Sequence, residues 1–70
     1  MNSNKKFFLN GYEFSINNDL TLKNILDYFN CKNTLFVIEY NNLICDRTEF
    51  SEIKINCNDR IEIITIVGGG

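Results

Sequence analysis

Apolar positions change their period along the chain, and the changes mark out its elements. Lys6 to Leu9 is a short apolar run that predicts a strand. Asn10-Gly11 follows, a pair in which both residues tolerate positive φ and therefore a two-residue hairpin signal. Tyr12 to Ile16 then alternates, with Tyr12, Phe14 and Ile16 on one face and Glu13 and Ser15 on the other. After the turn residues Asn17-Asn18-Asp19 the period lengthens. Leu22, Ile25, Leu26 and Phe29 recur at i, i+3, i+4 and i+7, one apolar stripe of an amphipathic helix. Thr21 is placed to cap its start, and Asn30 suits a left-handed residue at its end.

The second half returns to strand chemistry. Leu35 to Tyr40 is β-branched and aromatic. Asn41-Asn42 makes a turn, and Leu43-Ile44-Cys45 a short following strand. Asp46 to Ile55 has no clear period; Phe50 and Ile53 are placed to anchor a one-turn helix to the core. Asn56 to Asp59 reads as a turn, and Arg60 to Val67 as the last strand. The order β-β-α-β-β-β predicts an α+β fold, a mixed sheet packed over one helix in the ubiquitin-like β-grasp pattern. The expected organisation is one domain over residues 1–67, followed by a glycine tail at 68–70.

Composition narrows what such a domain can do. The sequence has 70 residues, 44% hydrophobic and 23% charged, which is ordinary globular composition with a thin core and little room for a deep cleft. Seven basic and nine acidic residues give a net charge of −2, and the basic ones are scattered. A nucleic-acid binder normally gathers a basic excess on one face, so no nucleic-acid partner is expected. No apolar run is long enough to span a bilayer, and Phe7-Phe8-Leu9 is too short for a signal-peptide core. Cys31, Cys45 and Cys57 are odd in number and widely spaced, with no histidine to complete a zinc site. They read as small, buried or half-buried thiols, and no metal is expected. With no histidine and no nucleophile beside a recognisable base, catalysis is not expected either.

The strongest chemical signal is Gly68-Gly69-Gly70, directly after Ile66-Val67. Three glycines add nothing to a core, and extended they reach about 10 Å beyond the last strand. Without Cβ atoms they can thread a terminal carboxylate through a channel of backbone width. Alternation suggests which surface would bring partners to such a tail. With Phe7 and Leu9 facing the helix, Phe8 points from the open side of the sheet. With Ile61 and Ile63 inward, Glu62, Ile64 and Ile66 point outward. Phe8, Ile64 and Ile66 are then expected to form an apolar partner-binding patch, unless the register slips near the strand end and puts Ile66 in the core. Arg47 and Arg60 either flank that patch, pair with Glu39 or Glu62, or stand as solvated surface charges.

Several segments carry a resemblance in order and spacing. They are Phe8-Leu9-Asn10-Gly11, Leu20-Thr21-Leu22 with Ile25-Leu26, Val37-Ile38-Glu39-Tyr40-Asn41, Ile44-Cys45-Asp46-Arg47, Asn58-Asp59-Arg60-Ile61-Glu62-Ile63 and Val67-Gly68-Gly69-Gly70. Together they resemble the ThiS family, the sulfur carrier proteins of thiamine biosynthesis, over nearly the whole chain. Departures from the family pattern, Asn41-Asn42, Cys45-Asp46-Arg47 and Asn58-Asp59, lie in or beside turns, where Asn replaces Gly with little strain.

The resemblance implies that Gly70 is the carrier residue, with Gly68 and Gly69 as its spacer. A ThiF-type adenylyltransferase would consume ATP to activate the Gly70 carboxylate. A sulfur donor protein would convert it to a thiocarboxylate, and a ThiG-type thiazole synthase would receive the sulfur. The chain itself would bind no cofactor, act as a co-substrate and be a monomer when free, in cytoplasm or plastid stroma. The alternatives are a MoaD-like small subunit of molybdopterin synthase, a ubiquitin-like modifier joined to lysines, and a β-grasp binding module with an idle tail.

Overall fold

The computed structural model describes residues 4–29 and 35–65. Strands β1 (Lys5–Leu9) and β2 (Tyr12–Ile16) form a hairpin, followed by helix α1 (Leu22–Tyr28). Strands β3 (Phe36–Tyr40) and β4 (Leu43–Cys45), a 3-10 turn at Arg47–Glu49 and strand β5 (Arg60–Thr65) complete the order. The sheet runs β2-β1-β5-β3-β4, so the last strand lies at its centre. Strands β1 and β5 are parallel and the other three pairings antiparallel. This is the mixed β-grasp sheet that the alternation predicts. Asn30, Cys31 and the residues beyond Thr65 lie outside the described residues, so the expected helix end and the 68–70 tail have no structural account.

Turn chemistry fixes the hairpins. Asn10 and Gly11 both have positive φ, 50° and 84°. A Cβ added at Gly11 would meet nothing within 4 Å, so backbone conformation, not room, calls for glycine there. Asn41 and Asn42 repeat the geometry at φ 52° and 72° without any glycine, because asparagine tolerates the left-handed region better than most residues.

The helix is short, and its packing and capping compensate. Thr21 Oγ1 accepts from Asn24 N at 3.2 Å, and Asn24 Oδ1 accepts from Thr21 N at 2.9 Å, a reciprocal cap. Its first free N–H groups are taken by the later loop, Leu22 N donating to Ile53 O at 2.8 Å and Lys23 N to Phe50 O at 3.0 Å. The stripe then buries Leu22, Ile25 and Leu26 against one sheet face, among Phe7, Leu9, Phe36, Ile38, Phe50, Ile55 and Ile61. Each such side chain contributes roughly 1.5–3 kcal/mol by leaving water. Two expected members sit further out. Tyr12 is exposed, and Phe29, just past the last helical residue, lies edge-on to the half-buried Phe14 at 5.3 Å between ring centroids. Both stand at element ends, where the sheet no longer has a helix above it.

No helix among the described residues is long and apolar enough to cross a membrane.

Candidate functional site

The side of the sheet away from the helix is uncovered among the described residues. Strand alternation brings Phe8, Val37, Glu39, Ile44, Arg60, Glu62 and Ile64 to it, and their registers fix how they meet. Phe8 lies beside Arg60, Val37 beside Ile64, and Glu39 between Glu62 and Ile44. Ile64 is 44% exposed and Ile44 67%, whereas Phe8 is half-buried. The inward pair behaves as alternation requires, with Ile61 fully buried and Ile63 packed against the core.

Phe8 and Ile64 therefore share a face, but they do not touch as one patch. Arg60 and Ile64 are four residues apart on β5, so Phe8 stands about 13 Å from the Ile64 end of the face, with Glu62 between. Ile66, the third residue expected there, lies outside the described residues, as do Gly68, Gly69 and Gly70.

Both arginines are exposed, and Arg60 flanks Phe8, one of the residues expected in the patch. Neither is ion-paired to Glu39 or Glu62. The Arg60 guanidinium lies over the Phe8 ring, 6.0 Å from its centroid, and Arg47 lies over Phe36 at 4.8 Å. Among the described residues the ion pairs are Lys5–Asp19 at 2.9 Å and Lys23–Asp27 at 3.0 Å, both away from this face. Glu39 and Glu62 thus stand directly opposite each other across β3 and β5, neither in an ion pair among the described residues. Such a like-charge pair is unfavourable for the isolated sheet.

Sequence reasoning missed a polar knot beneath one edge of this face. Asp59, read as a turn residue, is 94% buried. Its carboxylate accepts from the Tyr40 hydroxyl, from Asn41 Nδ2 at 3.1 Å and from Asn56 N at 2.7 Å. Burial first, and then the Asp59 carboxylate, push the Tyr40 phenol up to about 12. The knot ties the β3–β4 turn to the loop that feeds β5. A tyrosine closing one strand and an aspartate opening another were visible in the sequence, but only the pairing of β3 with β5 brings them together.

Catalytic chemistry is thin among the described residues. Cys45 Sγ lies 3.8 Å from Glu49 Oε1, and burial followed by that carboxylate raises its pKa. A thiol held protonated is the reverse of an activated nucleophile. Cys57, expected to be buried or half-buried, is exposed and free because it sits in the turn before β5, and no group of metal-ligating side chains forms among the described residues. A groove on the helix side, lined by Leu26, Phe36, Arg47 and Phe50, and a smaller one around Phe8, Gly11, Arg60 and Glu62 are shallow surface features.

The sequence profile of the ThiS family matches residues 7–70, from β1 through the final glycine. The chain belongs to the ThiS family. Its fold agrees: the ThiS thiamine biosynthesis protein of Geobacter metallireducens superposes with a TM-score of 0.77, over 93% of this chain and 99% of that one, at 19% identity. The ycf40 protein of Trieres chinensis is 48% identical over 66 residues, covering 94% of this chain and 90% of its own length. That of Porphyra purpurea is 36% identical over 70 residues, covering 100% of this chain and 99% of its own. The mixed β-grasp sheet is thus a ThiS-family sheet, and Arg60–Thr65 is the strand after which that family's profile continues to Gly70.

Proposed function

We propose that this ThiS-family protein is a sulfur carrier in the biosynthesis of the thiazole of thiamine, and that Gly70 carries the sulfur. One observation bears most of the weight: the family match does not stop with the folded sheet but takes in Gly68, Gly69 and Gly70. The description of the Geobacter metallireducens structural relative as a thiamine biosynthesis protein supports the choice of pathway.

A carboxylate resists nucleophilic attack, because its charge is spread and oxide is a poor leaving group. In the proposed cycle a ThiF-type adenylyltransferase directs the Gly70 carboxylate onto the α-phosphorus of ATP. Pyrophosphate leaves, and an acyl-adenylate remains. Sulfide, or the equivalent from a sulfur donor protein, attacks the acyl carbon and expels AMP, leaving a thiocarboxylate. That sulfur is nucleophilic and is passed to a ThiG-type thiazole synthase. The chain is a co-substrate rather than an enzyme, and ATP is consumed by its partner. Gly68 and Gly69 provide width-free backbone for entry into partner sites. Ile64 near the tail, Phe8 at the far end and Ile66 serve as partner contacts. The compartment is a soluble phase, cytoplasm or plastid stroma.

The test is intact mass spectrometry of the full chain after incubation with a ThiF-type enzyme, ATP and sulfide. The carrier reading expects the gain that accompanies exchange of one oxygen for one sulfur, and no gain once Gly69 and Gly70 are removed. An unchanged mass with the full chain, under conditions where the enzyme loads its own carrier, would end it.

A further inference from the structure

The strand that leads to Gly70 is held by two asparagine side chains standing in for backbone. In a continuing parallel ladder between β1 and β5, the main-chain carbonyl of Asn10 would accept from the Ile63 N–H. Asn10 is instead in the left-handed conformation, φ 50°, where the chain turns toward β2. Its backbone N still donates to Ile61 O at 2.9 Å, and its side-chain Oδ1 takes the next rung, accepting from Ile63 N at 2.7 Å.

Asn41 repeats the arrangement on the other side of the same strand. It too is left-handed, at φ 52°. Its backbone N donates to Arg60 O at 2.8 Å, and its Oδ1 accepts from Arg60 N at 2.8 Å. These are the two bonds that a continuing antiparallel pair would exchange, with the side-chain oxygen replacing the main-chain one. Asp59 holds the Asn41 amide in that orientation through Nδ2.

The two sites act at different places. Asn41 holds the first residue of β5, where Asp59 and Tyr40 reinforce it. Asn10 acts further along. Strand β1 ends at Leu9, opposite Ile61, so beyond that point the β1 side of β5 is bonded only through Asn10 among the described residues. The β3 side continues to Phe36 opposite Thr65. We infer that Asn10 is a positioning residue, whose side-chain amide carbonyl extends the β1–β5 ladder and holds the last part of β5, with Ile64, flat in the sheet for the partner that receives the tail. The partner clause rests on the carrier reading above; the ladder does not.

Asparagine suits the task because it combines tolerance of positive φ with an acceptor of the right reach. Asn10→Gly keeps the first property and removes the second, and Asn10→Asp keeps an acceptor. The experiment is amide hydrogen exchange by NMR on the full chain, for the wild type, both variants and Asn41→Gly. In Asn10→Gly the Ile63 amide should lose about tenfold of its protection, while the Phe7 and Ile38 amides keep theirs. Asn10→Asp should restore it, and Asn41→Gly should strike at Arg60 instead. Retained protection at Ile63 in Asn10→Gly would overturn the inference, as would an equal loss at Phe7 and Ile38, which is global destabilisation.

In loading by a ThiF-type enzyme, Asn10→Gly should raise KM about threefold or more with little change in kcat, the signature of lost docking. An unchanged KM would overturn the partner clause. A wild-type chain that is never loaded refutes the carrier reading and leaves the exchange result to decide the ladder.

Discussion

The two faces of the same five strands are built on opposite terms. On the helix side Phe7, Ile38 and Ile61 are 1% exposed or less and enclosed by Leu22, Ile25 and Leu26. On the other side stand a half-buried Phe8, an exposed Ile64 and a Glu39–Glu62 pair with no ion-pair partner among the described residues. A surface selected only to stabilise the sheet would not set two carboxylates opposite each other beside exposed isoleucines. The difference teaches that parity along a strand, more than residue type, decides what a side chain is for in this protein. Isoleucine at 61 holds the fold, and isoleucine at 64 stands exposed on the open face.

That contrast can be broken or sharpened by substitution. The largest effect belongs to the helix side. Phe7→Ala should lower stability by about 3–5 kcal/mol in urea unfolding, since it empties a ring from the closed core. A loss of less than about 1 kcal/mol, the scale of ordinary surface changes, would mean that this face is not what holds the domain. Next comes the knot beneath the edge. Asp59→Ala leaves Asn41, Tyr40 and the Asn56 N–H without their shared acceptor, and should cost about 2–3 kcal/mol. A near-neutral result would show that water replaces the carboxylate.

Tyr40 makes the same knot sensitive to alkali. Its folded pKa of about 12 lies above the ordinary 10.0, so between those values the unfolded chain has lost a proton that the folded chain keeps. Its contribution to stability is complete below pH 10 and is lost as pH rises through about 12. Thermal midpoints of wild type and Tyr40→Phe should therefore converge across that window. Parallel curves would separate the tyrosine from the transition.

The open face should give the smallest changes in stability. Ile64→Ala should shift it by only about 0.5 kcal/mol, while weakening partner binding. Glu62→Lys should stabilise the domain by roughly 0.2–1 kcal/mol, by turning a like-charge pair into an opposite-charge one. If Ile64→Ala unfolds the domain as Phe7→Ala does, the division between the faces is gone.

Much of this was legible from the chain because the governing signals are local. Asn10-Gly11 announces its hairpin, the 22–29 stripe its helix, and alternation alone separates Ile61 from Ile64. The ThiS-family pieces were equally local. What could not be read depended on which strands become neighbours. Asp59 and Tyr40 are 19 residues apart and meet only because β5 inserts between β1 and β3. The β1–β5 register then separates Phe8 from Ile64 along the face, and the insertion turns Asn10 and Asn41 from turn residues into rungs. Of the readings open to the arginines, the registers select the flanking one for Arg60, beside the Phe8 ring, and neither arginine pairs with Glu39 or Glu62.

If the fold serves to present the Gly70 carboxylate, the location of the sulfur reveals it. The full chain, loaded by a ThiF-type enzyme with ATP and sulfide, should be fragmented and the mass change mapped. The carrier account predicts exchange of oxygen for sulfur at Gly70 and nowhere else. A Gly70 that keeps both carboxylate oxygens, under conditions where the enzyme loads its own carrier, would contradict it.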